Sequence, residues 1–305
     1  MRPPDTSDTR DLLDVATRAA FKAGNELRFF RNRHGLKIQG EIKSDGSIVT
    51  EADRRASDAI RKTIHESSQN AFILDEEASA LHTVERPDRF WIVDPLDGTW
   101  YFANGHDCFC VLIAHVTDGI PDVGVIYFPT TNEMLSCARG YGAFGSRGTR
   151  RWNLELTHPT RVDELVMLGS DNPKARHIYE HLAKSLRVRS ESAGKSTGNK
   201  YCHLLEGNVD LVATRMGSPA IWDIAAGHCL VSELGGVVTT LYGEPIDYTT
   251  TLKFNRGTLA IGNASLIPEI VSRLPPTTDT THLKTDPHGA GFQFKNMMTK
   301  HIRMA

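Results

Sequence analysis

The sequence predicts a mixed α and β fold on three observations. An amphipathic helical period opens the chain; short apolar runs bounded by charged, Gly or Pro residues follow from residue 72; and a second helical period ends on a Gly-Gly stop near residue 235. With 305 residues, 40% of them apolar, the chain can bury a substantial core as one large domain or two closely packed ones. We divide it into an N-terminal half (1–150), a C-terminal half (151–275) and a linker with tail (276–305).

In the first element Leu12, Ala16, Ala19, Ala20, Ala23 and Leu27 recur at helical spacing from Arg10, with Asp8 and Thr9 as candidate caps. Gly46 marks a turn in Ser44-Asp45-Gly46-Ser47. A second helix is expected from about Thr50, where Ala52, Ala56, Ala59, Ile60 and Ile64 share a face. Apolar runs at 72–74, 90–93, 109–114, 123–128 and 209–213 read as strands. A last helix is expected over 223–234, where Ile224, Gly227, Val231 and Leu234 align before Gly235-Gly236. Beyond Leu274 the Pro- and Thr-rich stretch 275–281 resembles a linker, and the final two dozen residues lack a period, so the tail is placed outside the core.

Lys and Arg total 35 against 37 for Asp and Glu, and the net charge of −2 gives no electrostatic reason to expect nucleic acid or a membrane surface as partner. Any anionic ligand must therefore be recognised locally. Neither a signal-like apolar core nor a run of about 18 apolar residues is present, which reads as a cytoplasmic protein. The five cysteines are scattered without a CxxC pair, against both a disulfide framework and a zinc site. Cys108 and Cys110 would share a strand face as packed core thiols.

The most informative segment is Asp94-Pro95-Leu96-Asp97-Gly98-Thr99, two acids, a proline and a glycine after a strand-like run. It is read as one sharp turn that aims both carboxylates and the Leu96 carbonyl at a point, with the amides of Gly98 and Thr99 left to bind anionic oxygen. Asp75-Glu76-Glu77 also follows a strand-like run, and Asp223 stands at a helix start. Each feature alone has an ordinary explanation: a surface turn, a solvated loop, a helix cap. If Glu76, Asp94, Asp97 and Asp223 converge, however, their charges require protonation or bound cations. All-oxygen ligation favours Mg²⁺, with Mn²⁺ a substitute, over Zn²⁺. Thr50 and Asp53 read as a capped helix start, and beside a metal site Asp53 with Thr99 becomes a pair able to accept the proton of an attacking water. His106 and His228 read as surface or packing residues. Gly194-Lys195-Ser196 lacks the earlier glycine of a nucleotide P-loop.

Taken together, residues 43–53, Asp75-Glu76-Glu77, Asp94 to Thr99 and Trp222-Asp223-Ile224-Ala225-Ala226-Gly227 resemble, in order and spacing, the successive motifs of the inositol monophosphatase superfamily. The resemblance runs from about residue 10 to 270. It implies an α+β fold, a layered α/β/α/β/α sandwich of the inositol monophosphatase and fructose-1,6-bisphosphatase type, commonly dimeric and often lithium-sensitive. It also implies two or three Mg²⁺ ions held by Glu76, Asp94, Asp97, Asp223 and the Leu96 carbonyl, with Asp53, Thr99 and Glu76 catalytic and no covalent phosphoenzyme. Within it, a small phosphorylated metabolite meets Asp97, Gly98, Thr99 and Asp223, with Gly194, Lys195, Ser196, Lys200 and Arg215 as further substrate contacts.

Residues 215–223 and 243–248 look most like the 3'(2'),5'-bisphosphate nucleotidase branch, which turns 3'-phosphoadenosine 5'-phosphate into AMP. Two features depart from it. Trp100-Tyr101-Phe102 stands where that branch usually has a Lys and an acid before the Phe, and 109–114 looks equally like the inositol branch. Thr214 lies about where inositol phosphatases carry a hydroxyl-binding Glu. A polyol or sugar monophosphatase, including one for histidinol phosphate, and a non-catalytic binding relative remain the alternatives.

Overall fold

The opening helical period becomes α1 (Thr6–His34), whose face of Ala16, Ala19, Ala20, Ala23 and Leu27 is fully buried. A two-stranded ribbon, β1 (Glu41–Ile42) with β2 (Ile48–Val49), leads into α2 (Glu51–Ser67), entered at Thr50 as expected. The computed structural model describes residues 6–35, 40–42, 48–78, 85–169, 173–191, 196–214, 219–254 and 257–274. The turn expected at 44–47 and the linker and tail after 274 lie outside the described residues.

The first large sheet has seven strands in chain order: β3 (Ile73–Asp75), β4 (Arg89–Asp97), β5 (Cys110–Thr117), β6 (Ile120–Phe128), β7 (Glu133–Ala138), β8 (Gly142–Arg147) and β9 (Arg150–Asn153). β3 pairs parallel with β4 and every later neighbour is antiparallel. A short helix, α3 (Thr99–Ala103), follows β4. The second sheet, ordered β11-β10-β12-β14-β13, draws on β10 (Val166–Leu168), β11 (Arg189–Glu191), β12 (Leu211–Ala213), β13 (Val237–Thr240) and β14 (Thr258–Ile261). Interleaved with it are α4 (Pro173–Leu186), α5 (Thr197–Leu205), α6 (Ile221–Glu233) and α7 (Ile267–Arg273).

Side-chain alternation along these strands sorts the core into three apolar clusters. On β4 and β5, Trp91, Val93, Val111 and Ile113 pack under α1 and α2, whereas Phe90, Ile92, Leu112 and Ala114 face α5 and α6. In the second sheet Leu168, Val212 and Ala260 look inward to those same helices, while Met167, Leu211, Leu259 and Ile261 face α4 and α7. The resulting order is helices, sheet, helices, sheet, helices: the layered α+β sandwich expected from the resemblance. α6 is apolar nearly all round because a sheet covers it on either side.

Three expectations change. Asp94 to Asp97 is not a sharp turn but the continuation of β4, and the turn follows at Gly98. The strands β7, β8 and β9, whose sequences carry Ser, Gly and Arg, were not expected, and neither were α4, α7 and most of the second sheet. Cys110 is buried at the start of β5, but Cys108 is half-buried and outside it, so the two thiols are not a packed pair.

The central helix sets a testable packing limit. A Cβ at Gly227 would lie 2.4 Å from the Tyr201 ring, which is itself fully buried. Gly227→Ala is expected to lower stability by about 1–3 kcal/mol through overpacking, read as an earlier urea midpoint with an unchanged slope.

Candidate metal and phosphate site

Two parallel strands end side by side at the site. The β3–β4 register sets Asp75 opposite Val93, and the Glu76 amide donates to the Val93 carbonyl at 3.1 Å, so Glu76 and Asp94 emerge together. Asp75 accepts from Ser57 Oγ at 2.5 Å and from the Glu77 amide at 2.9 Å, which anchors this end.

Asp94 and Asp97 are three residues apart, and in a regular strand they would point to opposite faces. Asp94 pairs with Leu112 and Asp97 with Cys110, so three steps on β4 match two on β5. That extra residue is a β-bulge, and it turns Asp97 to the face of Asp94. Pro95 sits inside it, where a missing ladder donor is tolerated. The Leu96 amide donates to Asp94 Oδ1 at 3.0 Å.

Asp223 occupies the third position of α6, and its Oδ2 accepts the Ala220 amide at 2.6 Å. The carboxylates of Asp94, Asp97 and Asp223 then offer oxygens all within 4.8 Å of one another. Burial pushes Asp94 well above the usual carboxylate range, with Glu76, Asp97 and Asp223 adding to the rise. Asp223 is raised by burial, then by Asp97 and Glu76, with Lys253 opposing. Asp97 is raised by burial but held back by bonds from Gly198, Ser196, Cys110 and Thr197. Glu76 thus joins the four-acid set electrostatically, while the tight trio is made by the three aspartates. Buried, crowded oxygen ligands without imidazole fit a hard divalent cation. A second trio among the described residues, Glu133, Cys202 and Glu206, already has Arg147 paired with Glu133.

Asp53 both caps α2 and reaches the site. Its Oδ2 accepts the Thr50 amide at 2.7 Å and Thr50 Oγ1 at 2.6 Å, and its Oδ1 lies 3.1 Å from Thr99 Oγ1. The Thr99 hydroxyl is also 3.0 Å from the Leu96 carbonyl, so this carbonyl and the Thr99–Asp53 pair share one corner. Burial raises Asp53 to about 7, with Thr50 opposing and Glu77 and Glu76 adding. Gly98 precedes α3 at φ 93°, and a Cβ there would meet the Cys108 carbonyl at 2.7 Å and Ser196 Cβ at 3.0 Å.

The remaining substrate candidates separate. Ser196 is buried at the N-cap of α5 beside Asp97. Lys200, one turn on, is also buried, but its Nζ donates to Tyr179 Oη at 2.9 Å, 4.6 Å from that ring's centre, rather than to the acids. Thr214 Oγ1 accepts the Thr258 amide at 2.7 Å and lies 2.8 Å from Thr258 Oγ1, an internal role. Gly194, Lys195 and Arg215 lie outside the described residues. His228, held down to about 4 by burial, pairs with Tyr248 Oη, and His106 stacks on Trp100, consistent with packing. Missed by sequence reasoning were the Thr197 and Gly198 amides and the Cys110 thiol, all on Asp97; only the register and the approach of α5 bring them there.

Residues 8–270 match the model of the inositol monophosphatase family. The chain belongs to that family. Family members are phosphatases acting on small phosphorylated substrates and generally use Mg²⁺, so this inositol monophosphatase family chain is a phosphatase. It is 32% identical to the inositol-1-monophosphatase of Synechocystis over 80% of this chain and 84% of that protein. It is 33% identical to the Escherichia coli K12 3'(2'),5'-bisphosphate nucleotidase CysQ over 80% of this chain and 96% of that one. The solved Thermotoga maritima IMPase superposes with a TM-score of 0.70 at 27% identity, covering 86% of this chain and 96% of that one. No described helix is long and apolar enough to cross a membrane.

The raised acids fix the sign of a pH effect. Without metal, the folded state holds protons that the unfolded chain releases, so stability falls as pH rises from the ordinary carboxylate range through about 7, the value for Asp53. On a scale of about 1.4 kcal/mol per unit, Asp53 alone accounts for up to about 4 kcal/mol of that loss. His228 acts oppositely below about pH 6.5 and does not depend on Mg²⁺. The rise in Tm on adding Mg²⁺ is therefore expected to grow between about pH 5 and about pH 8, and to shrink strongly in Asp97→Asn; thermal melts across pH, with Mg²⁺ and with EDTA, measure it.

Proposed function

We propose that this phosphatase is a Mg²⁺-dependent phosphomonoesterase that hydrolyses its substrate by direct attack of water, with 3'(2'),5'-bisphosphate nucleotides as preferred substrates. The observation that carries the hydrolytic reading is the convergence of Asp94, Asp97 and Asp223 within 4.8 Å beside the Thr99–Asp53 pair. Glu76, Asp94, Asp97, Asp223 and the Leu96 carbonyl would hold the metal. When bound, Mg²⁺ neutralises phosphoryl oxygens as a Lewis acid and lowers the cost of deprotonating the attacking water.

The protein's own groups supply the rest. Thr99 Oγ1, donating to Asp53 Oδ1, leaves its lone pairs to accept a proton from water, and Asp53 is poised near 7 to take the proton that Thr99 passes on. Gly98 brings the first amides of α3 to the same corner, where a helix start lacks internal acceptors and suits a phosphate oxygen. Asp223 accepts the Ala220 amide on Oδ2 and offers a carboxylate oxygen within 4.8 Å of those of Asp94 and Asp97.

Two observations support the nucleotidase branch over the polyol branch. Thr214, where a hydroxyl-binding acid would serve a polyol, is uncharged and committed to Thr258. Lys200 is a buried cation on the helix that starts at the site, held among the described residues by the hydroxyl and ring of Tyr179, and suited to a second phosphate.

Phosphate release in Mg²⁺ is the test, with 3'-phosphoadenosine 5'-phosphate, inositol 1-phosphate, fructose 1,6-bisphosphate and histidinol phosphate compared by kcat/KM. The bisphosphate nucleotide is expected to rank first, and another first rank would refute the substrate assignment. Asp94→Asn should lower kcat by about a thousandfold or more; near-normal turnover would refute the metal site. Lys200→Met, close in volume, should raise KM for the bisphosphate nucleotide by about tenfold or more and leave inositol 1-phosphate turnover little changed.

A further inference from the structure

Cys110 takes no part in the hydrolytic chemistry, yet the bulge in β4 sets it directly opposite Asp97. Its Sγ lies 3.4 Å from Asp97 Oδ2 and 3.8 Å from Ser196 Oγ, and all three residues are buried. The same Oδ2 accepts the Gly198 amide at 2.6 Å, and Oδ1 accepts the Thr197 amide at 3.3 Å. The contacts are also fitted in space. A Cβ at Gly198 would stand 2.4 Å from Cys110 Sγ and 3.2 Å from Asp97 Oδ2, so the missing side chain of one residue makes room for the sulfur of the other.

A carboxylate on a strand end has two soft side-chain torsions, and four donors from two elements remove most of that freedom. β5 supplies the thiol, and α5 with its cap supplies the two amides and the Ser196 hydroxyl. Together they leave Asp97 only the orientation in which it faces Asp94 and Asp223. Alanine at 110 would delete the donor and open a void beside Oδ2, whereas serine would keep a donor on the same vector with a shorter reach.

We infer that Cys110 is a positioning residue for Asp97: with the Gly198 amide it fixes the carboxylate against Asp94 and Asp223, and so sets the affinity of this site for a divalent cation. The inference rests on the proposal that these aspartates bind metal. Groups that hydrogen-bond a ligating side chain typically change metal affinity by about 10- to 100-fold when removed.

The experiment is a Mg²⁺ titration of the EDTA-treated full chain, read by calorimetry and by the rise in Tm, with each variant referenced to its own melt in EDTA. Cys110→Ala should raise the Mg²⁺ half-saturation concentration by about tenfold or more, and Cys110→Ser should restore most of the loss. Gly198→Ala should weaken Mg²⁺ binding by crowding the sulfur, and the Cys110→Ala/Gly198→Ala double variant should lose less than the two effects combined. A wild-type titration in Cys110→Ala overturns the inference, as does an equal loss in the serine and alanine variants, or strict additivity in the double. Asp97→Asn separates the two levels: if it binds Mg²⁺ as wild type does, the metal reading itself falls; if its binding is lost while Cys110→Ala is unaffected, only the positioning role falls.

Discussion

Asp94, Asp97 and Asp223 are like charges, buried, with oxygens within 4.8 Å of one another, and their mutual repulsion in a low-dielectric interior is the constraint to which much of the surrounding structure answers. Loose side chains would swing apart or draw in water. Each acid instead leaves a regular element and is tied by backbone: Asp94 by the Leu96 amide, Asp97 by Thr197 and Gly198, Asp223 by Ala220. Amide dipoles offset part of the cost, but burial first and the neighbouring acids second hold Asp94 and Asp223 well above the ordinary carboxylate range, and the arrangement suits a cation.

The bulge in β4 converts a one-dimensional motif into that cluster. Without its extra residue, Asp97 would turn toward α1 and α2, into the apolar layer occupied by Val93 and Leu96. With it, Asp97 meets Asp94 and α6. Leu96 then buries its side chain in the helical layer while its carbonyl stays within 3.0 Å of Thr99 Oγ1. One irregularity thus settles which face the acids share, where the backbone carbonyl lies and where α3 begins.

What the sequence disclosed follows from the range of each interaction. The Thr50–Asp53 cap, the glycine after Asp97 and the acid near the start of α6 are local, set within four residues, and they were legible along with the helices whose apolar stripes repeat. Asp53 reads from the sequence as a helix cap and, beside a metal, as half of a water-activating pair; one side chain has the geometry for both, since its two carboxylate oxygens divide between Thr50 and Thr99. Cys110 could be recognised as buried, but its partner depends on the β4–β5 register, which a bulge shifts and no local pattern encodes. Lys200 resisted for a similar reason: its partner Tyr179 is 21 positions away, on a helix that had not been expected. Strands β7 to β9 carry Gly, Ser and Arg at positions that blur the alternation, and they are strands because the antiparallel meander continues to supply hydrogen-bond partners.

Asp97 also explains why the site lies at the seam between the two sheets. It belongs to the seven-stranded sheet, yet its firmest backbone bonds come from α5, which lies between that sheet and the second one. On the other side of it, Gly98 leaves space that Ser196 of the α5 cap fills, since a Cβ there would stand 3.0 Å from the serine Cβ. Seating α5 and orienting Asp97 are therefore the same event. A cation that favours the oriented carboxylate must, by reciprocity, favour the seated helix, and so also the positions of Ser196 and Lys200 that it carries. If the aspartates hold a metal as proposed, its occupancy and the seating of α5 are coupled through a carboxylate that belongs to one layer and is held by the next.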